Sequence, residues 1–401
     1  MTGTNLGDVV DRAADPGALA LIDLRDADAP VSWSHGEIDR AASGVARALA
    51  ARGLGRGDRV AILSANRAEY LLAFLGIMRA GMVAVPVSFK LPRPAVEFVL
   101  RDAGAALLFC DAERRPAVPA DLPAVEFGGD FDAFVNHGPF DVVAPAAAEI
   151  AMILYTSGST GRPKGVRLCH EGQRWAIDHR LALTPGLGRH RLLVAAPLFH
   201  MNALCVSLFA LAGHASTVLL PQFSAPAYIE AIARHRCTWL TSVPTMMARV
   251  AQERDRLAGA DLSSVERVSM GSAPLTQSLI DRVKALFPEA AVGNGYGTTE
   301  TGPVAFGPHP DGRPQPEIAL GYPARDISAR LVDGTDMDAA EGVLHLRTPA
   351  LMRGYHNLPE KTAEVMTADG YYVTGDVMRR DADGWLFFHD RSVDVIKHKG
   401  Y

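Results

Sequence analysis

The stretch T-S-G-S-T-G-R-P-K-G, Thr156 to Gly165, carries four hydroxyl side chains and three glycines around one Arg and one Lys. Glycine lets backbone N–H groups approach an anion closely, and hydroxyls and cations add further donors, so by composition this is a loop that cradles phosphate. It follows the apolar run Ile150 to Tyr155, which reads as a buried strand. A strand leading into a glycine-rich loop is where α/β proteins hold phosphates.

Spacing excludes two common loops of this kind. A Walker A loop requires G-x-x-x-x-G-K-[ST], whereas Gly161 is followed by Arg162 and Pro163, and Lys164 by Gly165. A nucleophile elbow requires G-x-S-x-G, a frame that neither Ser157 nor Ser159 has.

A βαβαβ alternation precedes the loop. Helices are expected over Ile38–Arg52, Asn66–Arg79 and Pro94–Asp102, and strands over Arg59–Leu63, Met82–Val87 and Ala106–Cys110. That order implies parallel strands with right-handed crossovers. The alternation returns after the loop, with strands expected at Leu192–Ala196, Thr217–Leu220, Trp239–Ser242, Arg267–Met270 and Val292–Asn294. Helices are expected at Ala225–His235 and Leu275–Leu286. Two doubly wound sheets packed together account for both runs. Arg114 to Pro145, rich in Pro, Gly, Ala and Asp, reads as a connector. From Ile318 onward, short alternating stretches split by D-G and E-G turns predict a small antiparallel, barrel-like unit.

The chain has 401 residues, 48% of them hydrophobic, enough for a large core divided into two or three units. Its net charge of −5 argues against a nucleic-acid footprint, so a phosphate ligand must be met by local donors. Cys110, Cys169, Cys205 and Cys237 are far apart with no C-x-x-C pair, which predicts buried, reduced thiols, a cytoplasmic setting and no structural zinc. The N-terminus lacks a signal-peptide pattern. Asn202 to Leu220 carries no formal charge, but polar residues interrupt it and Gly213 reads as a helix stop. A buried helix followed by a buried strand is expected there rather than a membrane span.

The glycine-rich string resembles the signature of the adenylate-forming superfamily: acyl-CoA synthetases, luciferases and the adenylation domains of peptide synthetases. The resemblance continues in family order through P-L-F-H (Pro197 to His200), G-Y-G-T-T-E (Gly295 to Glu300), Y-V-T-G-D (Tyr372 to Asp376) and D-R-S-V-D-V-I-K-H-K-G-Y (Asp390 to Tyr401). It implies an N-terminal domain over 1–390, with α/β subdomains near 1–190 and 191–317 and a β-barrel over 318–390. Residues 391–401 would be the hinge to a small C-terminal domain that is missing here.

The implied chemistry is attack of a carboxylate on ATP, giving acyl-AMP and pyrophosphate, followed by thioester formation with coenzyme A. By resemblance, Thr156, Ser157, Gly158, Ser159, Thr160, Gly161 and Lys164 hold the β- and γ-phosphates. Gly295, Tyr296, Gly297 and Thr298 receive adenine, Thr299 reaches the α-phosphate, and Glu300 helps to bind Mg²⁺. Asp376 takes the ribose hydroxyls, and Arg391 the ribose or α-phosphate. Asp390 departs from the glycine commoner before that arginine. Lys164, His200, Thr299 and Glu300 are the residues expected nearest the reaction. No general base is required, because the substrate carboxylate is already ionised.

His200, Met201, Val243, Gly271, Ser272, Ala273, Gly295, Pro303 and Val304 are expected to form the acyl pocket. Amino-acid-activating relatives carry Asp directly after the Phe of the second motif, whereas here His200 and Met201 follow Phe199. A buried ammonium without a counter-charge is costly. A neutral, largely apolar acid, medium-chain or aromatic, is therefore expected as the partner, with ATP and coenzyme A. The rival readings are an adenylation module that loads a carrier protein and a binding protein that has lost catalysis. The family's catalytic lysine lies in the C-terminal domain, so a shortened chain of low turnover is expected. Val393, with Asp394 next, stands where the family has its hinge pivot.

Overall fold

The apolar runs Val60–Leu63, Val83–Val85 and Leu107–Cys110 are buried in the middle of a six-stranded sheet. Runs of this length are apolar throughout because helices and neighbouring layers cover both faces. The computed structural model describes residues 4–156, 162–303 and 305–391. The first sheet runs, in spatial order, Ala124–Phe127, Ala105–Asp111, Arg59–Leu63, Val83–Pro86, Ile150–Thr156 and Lys164–Cys169. All neighbours are parallel except the last pair, two antiparallel strands that flank the glycine-rich stretch in sequence.

Helix Ala68–Arg79 buries every residue but Glu69. Its Gly76 lets helix His35–Ala51 come close, since a Cβ there would lie 2.6 Å from the Cβ of Val45. The buried Arg79 guanidinium is answered by Asp39, Ser43 and the carbonyl of Gly7, as a buried charge requires.

The second sheet has seven strands in the order Ala291–Gly295, Arg267–Gly271, Trp239–Ser242, Arg191–Val194, Ser216–Leu219, Leu19–Asp23 and Val31–Ser34. Its outer hairpin comes from the N-terminus. Residues 19–34 therefore belong to this sheet and not to that of their neighbours in sequence, against the expected split near residue 190. The charge-free stretch is a buried helix, Met201–Ala212, followed by strand Ser216–Leu219. Among the described residues no helix is long and apolar enough to cross a membrane.

A four-stranded antiparallel meander, Ser328–Val332, Glu341–Arg347, Tyr372–Arg380 and Leu386–Arg391, forms the third unit. A two-stranded ribbon, Phe306–Gly307 with Tyr322–Pro323, joins it through a bridge between Gly321 and Leu386. Leu331, Leu344, Leu346, Met378 and Leu386 fill its core.

Arg114 to Pro145 is more than a connector. It supplies the edge strand Ala124–Phe127, and Phe127, Phe131 and Phe134 pack around Phe109 with ring centroids 5.8, 5.9 and 5.2 Å away. The three aromatics are diluted by Gly and Asp in the sequence, which hides their common destination. All four cysteines are buried and free, and burial pushes the Cys110 and Cys237 thiols up to about 11 and about 12.

Candidate active site

Thr156 and Lys164 close the hairpin as directly paired residues, so the two ends of the glycine-rich loop are fixed by ladder hydrogen bonds. Ser157, Gly158, Ser159, Thr160 and Gly161 lie outside the described residues, as do Val304 and the hinge positions Val393 and Asp394. A segment from far along the chain pairs with the outer strand of this hairpin. Val166 bridges Tyr355, the His356 N–H donates to the Gly165 carbonyl at 2.7 Å, and the Arg167 N–H donates to that of Gly354 at 3.1 Å. That pairing sets the Lys164 ammonium 4.7 Å from the centre of the Tyr355 ring. The Tyr355 hydroxyl in turn donates to Glu300 Oε1 at 2.9 Å. Lys164 and Glu300 are thus connected through one aromatic side chain.

The turn that carries Glu300 is braced from within. The Thr301 N–H donates to Thr298 Oγ1 (3.1 Å) and the Thr298 N–H to Thr301 Oγ1 (3.2 Å). The Met352 N–H donates to the Glu300 carbonyl at 2.7 Å, and the Thr348 hydroxyl to that of Thr301 at 2.7 Å. Gly302 has φ +86°, and a Cβ there would lie 2.5 Å from the Cβ of Ala350. These contacts hold Gly297, Thr298 and Thr299 on the cleft wall beside Glu300.

Tyr296 donates its hydroxyl to Asp376 Oδ2 at 2.6 Å and stacks on Phe306, with ring centroids 5.5 Å apart. Burial, and then the Asp376 charge, raise its pKa well above the usual tyrosine value, so the phenol stays a donor. Asp376 itself is only 4% exposed. Its Oδ1 accepts from Arg391 Nε at 3.0 Å, and its own N–H donates to Thr374 Oγ1 at 3.1 Å. Gly375, with φ +75°, makes the bend that turns this carboxylate inward.

These groups share one cleft of about 1350 Å³. Thr156, Lys164, the turn Gly295 to Glu300, Asp376 and Arg391 line one end of it. His200, Met201, Val243, Gly271, Ser272 and Pro303 line the continuation. Ala273 is exposed and stands off the wall, because the chain turns outward at Ser272, where φ is +65°. The cleft floor has no side chain at Gly293, where a Cβ would meet nothing within 4 Å, and at Gly295, where the nearest atom would be the Met270 carbonyl at 3.8 Å. His200 sits at the start of helix Met201–Ala212, its ring 4.4 Å from that of Phe199. Lost hydration, and then the Lys90 ammonium, lower its pKa and keep the imidazole neutral at neutral pH.

Sequence reading did not single out Tyr355, Phe306, Trp239 or Arg180, all of which bear on this cleft. A G-Y pair amid turn residues was the only local signal at Tyr355, and nothing in its spacing points to Lys164 or Glu300. Among the described residues no three His, Cys, Asp or Glu side chains gather as a metal cage.

Comparison with known proteins finds a family and several relatives. The AMP-binding enzyme family matches residues 10–356. A feruloyl-CoA synthase from Amycolatopsis sp is 34% identical over 374 residues, covering 90% of this chain and 74% of the relative. A fatty acid–[acyl-carrier-protein] ligase, ScoC, from Streptomyces coeruleorubidus is 31% identical over 395 residues, covering 90% of this chain and 73% of the relative. Among solved structures, ATP-bound MatB from Rhodopseudomonas palustris superposes with a TM-score of 0.86 at 28% identity, covering 97% of this chain and 79% of that one. The inhibitor-bound N-terminal domain of FACL13 from Mycobacterium tuberculosis gives 0.86 at 26% identity, covering 96% of this chain and 99% of that one.

Proposed function

This chain belongs to the AMP-binding enzyme family, and from that premise we propose that it is an acid–thiol ligase. It activates an apolar carboxylic acid, medium-chain or aromatic, with ATP, then passes the acyl group to coenzyme A. The observation that carries this reading is the convergence of Lys164, Glu300, Tyr296 and Asp376 on one cleft through Tyr355 and the Tyr296–Asp376 bond.

A substrate carboxylate oxygen attacks the α-phosphorus, the α–β phosphoanhydride bond breaks, and pyrophosphate leaves. The chain's part is positioning and charge stabilisation. Lys164 and Thr156 receive the β- and γ-phosphates, and Thr299 donates toward the α-phosphate. Asp376 orients the ribose, with Tyr296 and Arg391 holding its carboxylate in place. Glu300 suits Mg²⁺, a cation bound through one or two carboxylates plus nucleotide phosphates rather than by an all-protein cage. When bound, Mg²⁺ supplies charge neutralisation on the phosphates. Neutral His200 borders the carboxylate without acting as a base. The cleft's two carboxylates, Glu300 and Asp376, are both engaged at the nucleotide end, which leaves no counter-charge for a substrate ammonium.

The test is acid-dependent pyrophosphate exchange across a panel of fatty, aromatic and amino acids, with AMP release read with and without coenzyme A. Exchange with fatty or aromatic acids and coenzyme A-dependent AMP release are expected. Exchange driven only by amino acids overturns the substrate class. The likeness to ScoC favours a second reading, transfer to a carrier protein. AMP release that needs a phosphopantetheinylated carrier protein, and not coenzyme A, selects it.

A further inference from the structure

Six lysines and arginines line the cleft, Lys90, Lys164, Arg180, Arg249, Arg267 and Arg391, against the two carboxylates Glu300 and Asp376. Lys164 and Arg391 have work at the nucleotide end. Arg249, Arg267 and Lys90 are exposed, and Arg267 lies 5.0 Å from the centre of the Trp239 ring. Arg180 differs. It lies in the last turn of helix His170–Ala182, is half-buried, and faces helix Met201–Ala212. Its guanidinium lies 4.5 Å from the centre of the buried Phe209 ring, and Nη1 is 3.9 Å from Cys205 Sγ. Among the described residues it makes no ion pair, and the carboxylate nearest on its own helix, Asp178, is held by Arg174 at 2.8 Å. Leu183, Met201, Val206 and Trp239 are apolar members of the same cleft lining.

A guanidinium against an apolar wall, with an aromatic face as its main partner, keeps unmet donors in a fixed fork suited to a carboxylate. Its distance from the reacting end follows from element geometry. Cys205 and Phe209 lie roughly 7–14 Å along the helix from His200, at 1.5 Å per residue. The parallel strand Arg267–Gly271 spans roughly 13 Å at 3.3 Å per residue. The floor between is cleared by Gly293 and Gly295.

We propose that Arg180 binds a second anionic group at the far end of the acyl substrate, which makes the preferred acid an elongated one with a terminal carboxylate, such as a medium-chain α,ω-dicarboxylic acid. This rests on the ligase reading above and refines it: the acid is apolar along its length and charged at both ends.

The probes are two sulfamoyl-adenosine analogues of the acyl-adenylate, one with an octanoyl tail and one with the same tail ending in a carboxylate, titrated calorimetrically into the 401-residue chain. The carboxylate-tailed analogue is expected to bind about ten- to a hundredfold tighter. Arg180→Met should bring that ratio to about one, and Arg180→Lys should keep part of it. Equal or weaker binding of the carboxylate tail by the wild-type chain, with the octanoyl analogue bound, overturns the role of Arg180 and leaves the ligase reading standing. An unchanged ratio in Arg180→Met likewise reduces Arg180 to a structural residue. If Arg180→Met does not fold, the wild-type ratio and Arg180→Lys decide. Binding of neither analogue, with no acid-dependent pyrophosphate exchange, overturns the ligase reading and this inference with it.

Discussion

The two ends of the cleft are built on opposite principles. At the end that holds Lys164, Glu300 and Asp376, the polar groups are tied to one another. Tyr355 links Lys164 to Glu300, and Tyr296 and Arg391 occupy both oxygens of Asp376. At the other end the wall is defined by what it lacks among the described residues: a side chain at Gly293 and a carboxylate paired with Arg180. Preorganised polar groups cost no rearrangement when charge arrives, which suits a chemistry common to a whole family. Open space and one unanswered charge select among ligands, which suits the part that varies with substrate.

The largest effect should come from Asp376→Ala. It strips the partner from both Tyr296 and Arg391, and affinity for an acyl-adenylate analogue should fall about 10²–10³-fold, measured by calorimetry. A loss under about fivefold would make Asp376 a mere anchor and erase the contrast.

A pair of glycine substitutions sharpens it. Gly302→Ala meets Ala350 at 2.5 Å and keeps a positive φ, so it should destabilise the fold by about 2–3 kcal/mol in urea unfolding. Gly295→Ala has no neighbour nearer than 3.8 Å. It should leave unfolding unchanged yet weaken analogue binding about tenfold by intruding on the ligand. Equal stability losses in the two would mean that the floor is protein packing and not ligand space.

The smallest effect is expected from Tyr355→Phe. One neutral donor to Glu300 is lost, about 1 kcal/mol, seen as about fivefold slower pyrophosphate exchange and a raised Mg²⁺ requirement. Unchanged Mg²⁺ dependence would separate Tyr355 from the metal-facing role proposed for Glu300.

The fold's layers were legible because they are written locally. Continuous apolar runs marked the parallel strands, and helix Ala225–His235 and strand Trp239–Ser242 stand at the bounds expected for them. The placement of strand Leu19–Asp23 in the second sheet was not legible, since its partner, Ser216–Leu219, lies nearly two hundred residues away. The aromatic cluster around Phe109 was hidden in the same way, its members interleaved with turn-forming residues.

By itself, the sequence determined the local chemistry: hydroxyls and glycines after a buried strand, Gly-Tyr-Gly ahead of a carboxylate, an aspartate at a glycine bend. Each depends on neighbours within a few residues, where backbone conformation and side-chain donors are set directly. Only the tertiary structure decided that Tyr355 stands between Lys164 and Glu300, and that Arg180 faces the cleft with no acidic partner among the described residues. Such relations are made by packing between segments distant in the chain, and no spacing of residues encodes which polar group is left unanswered.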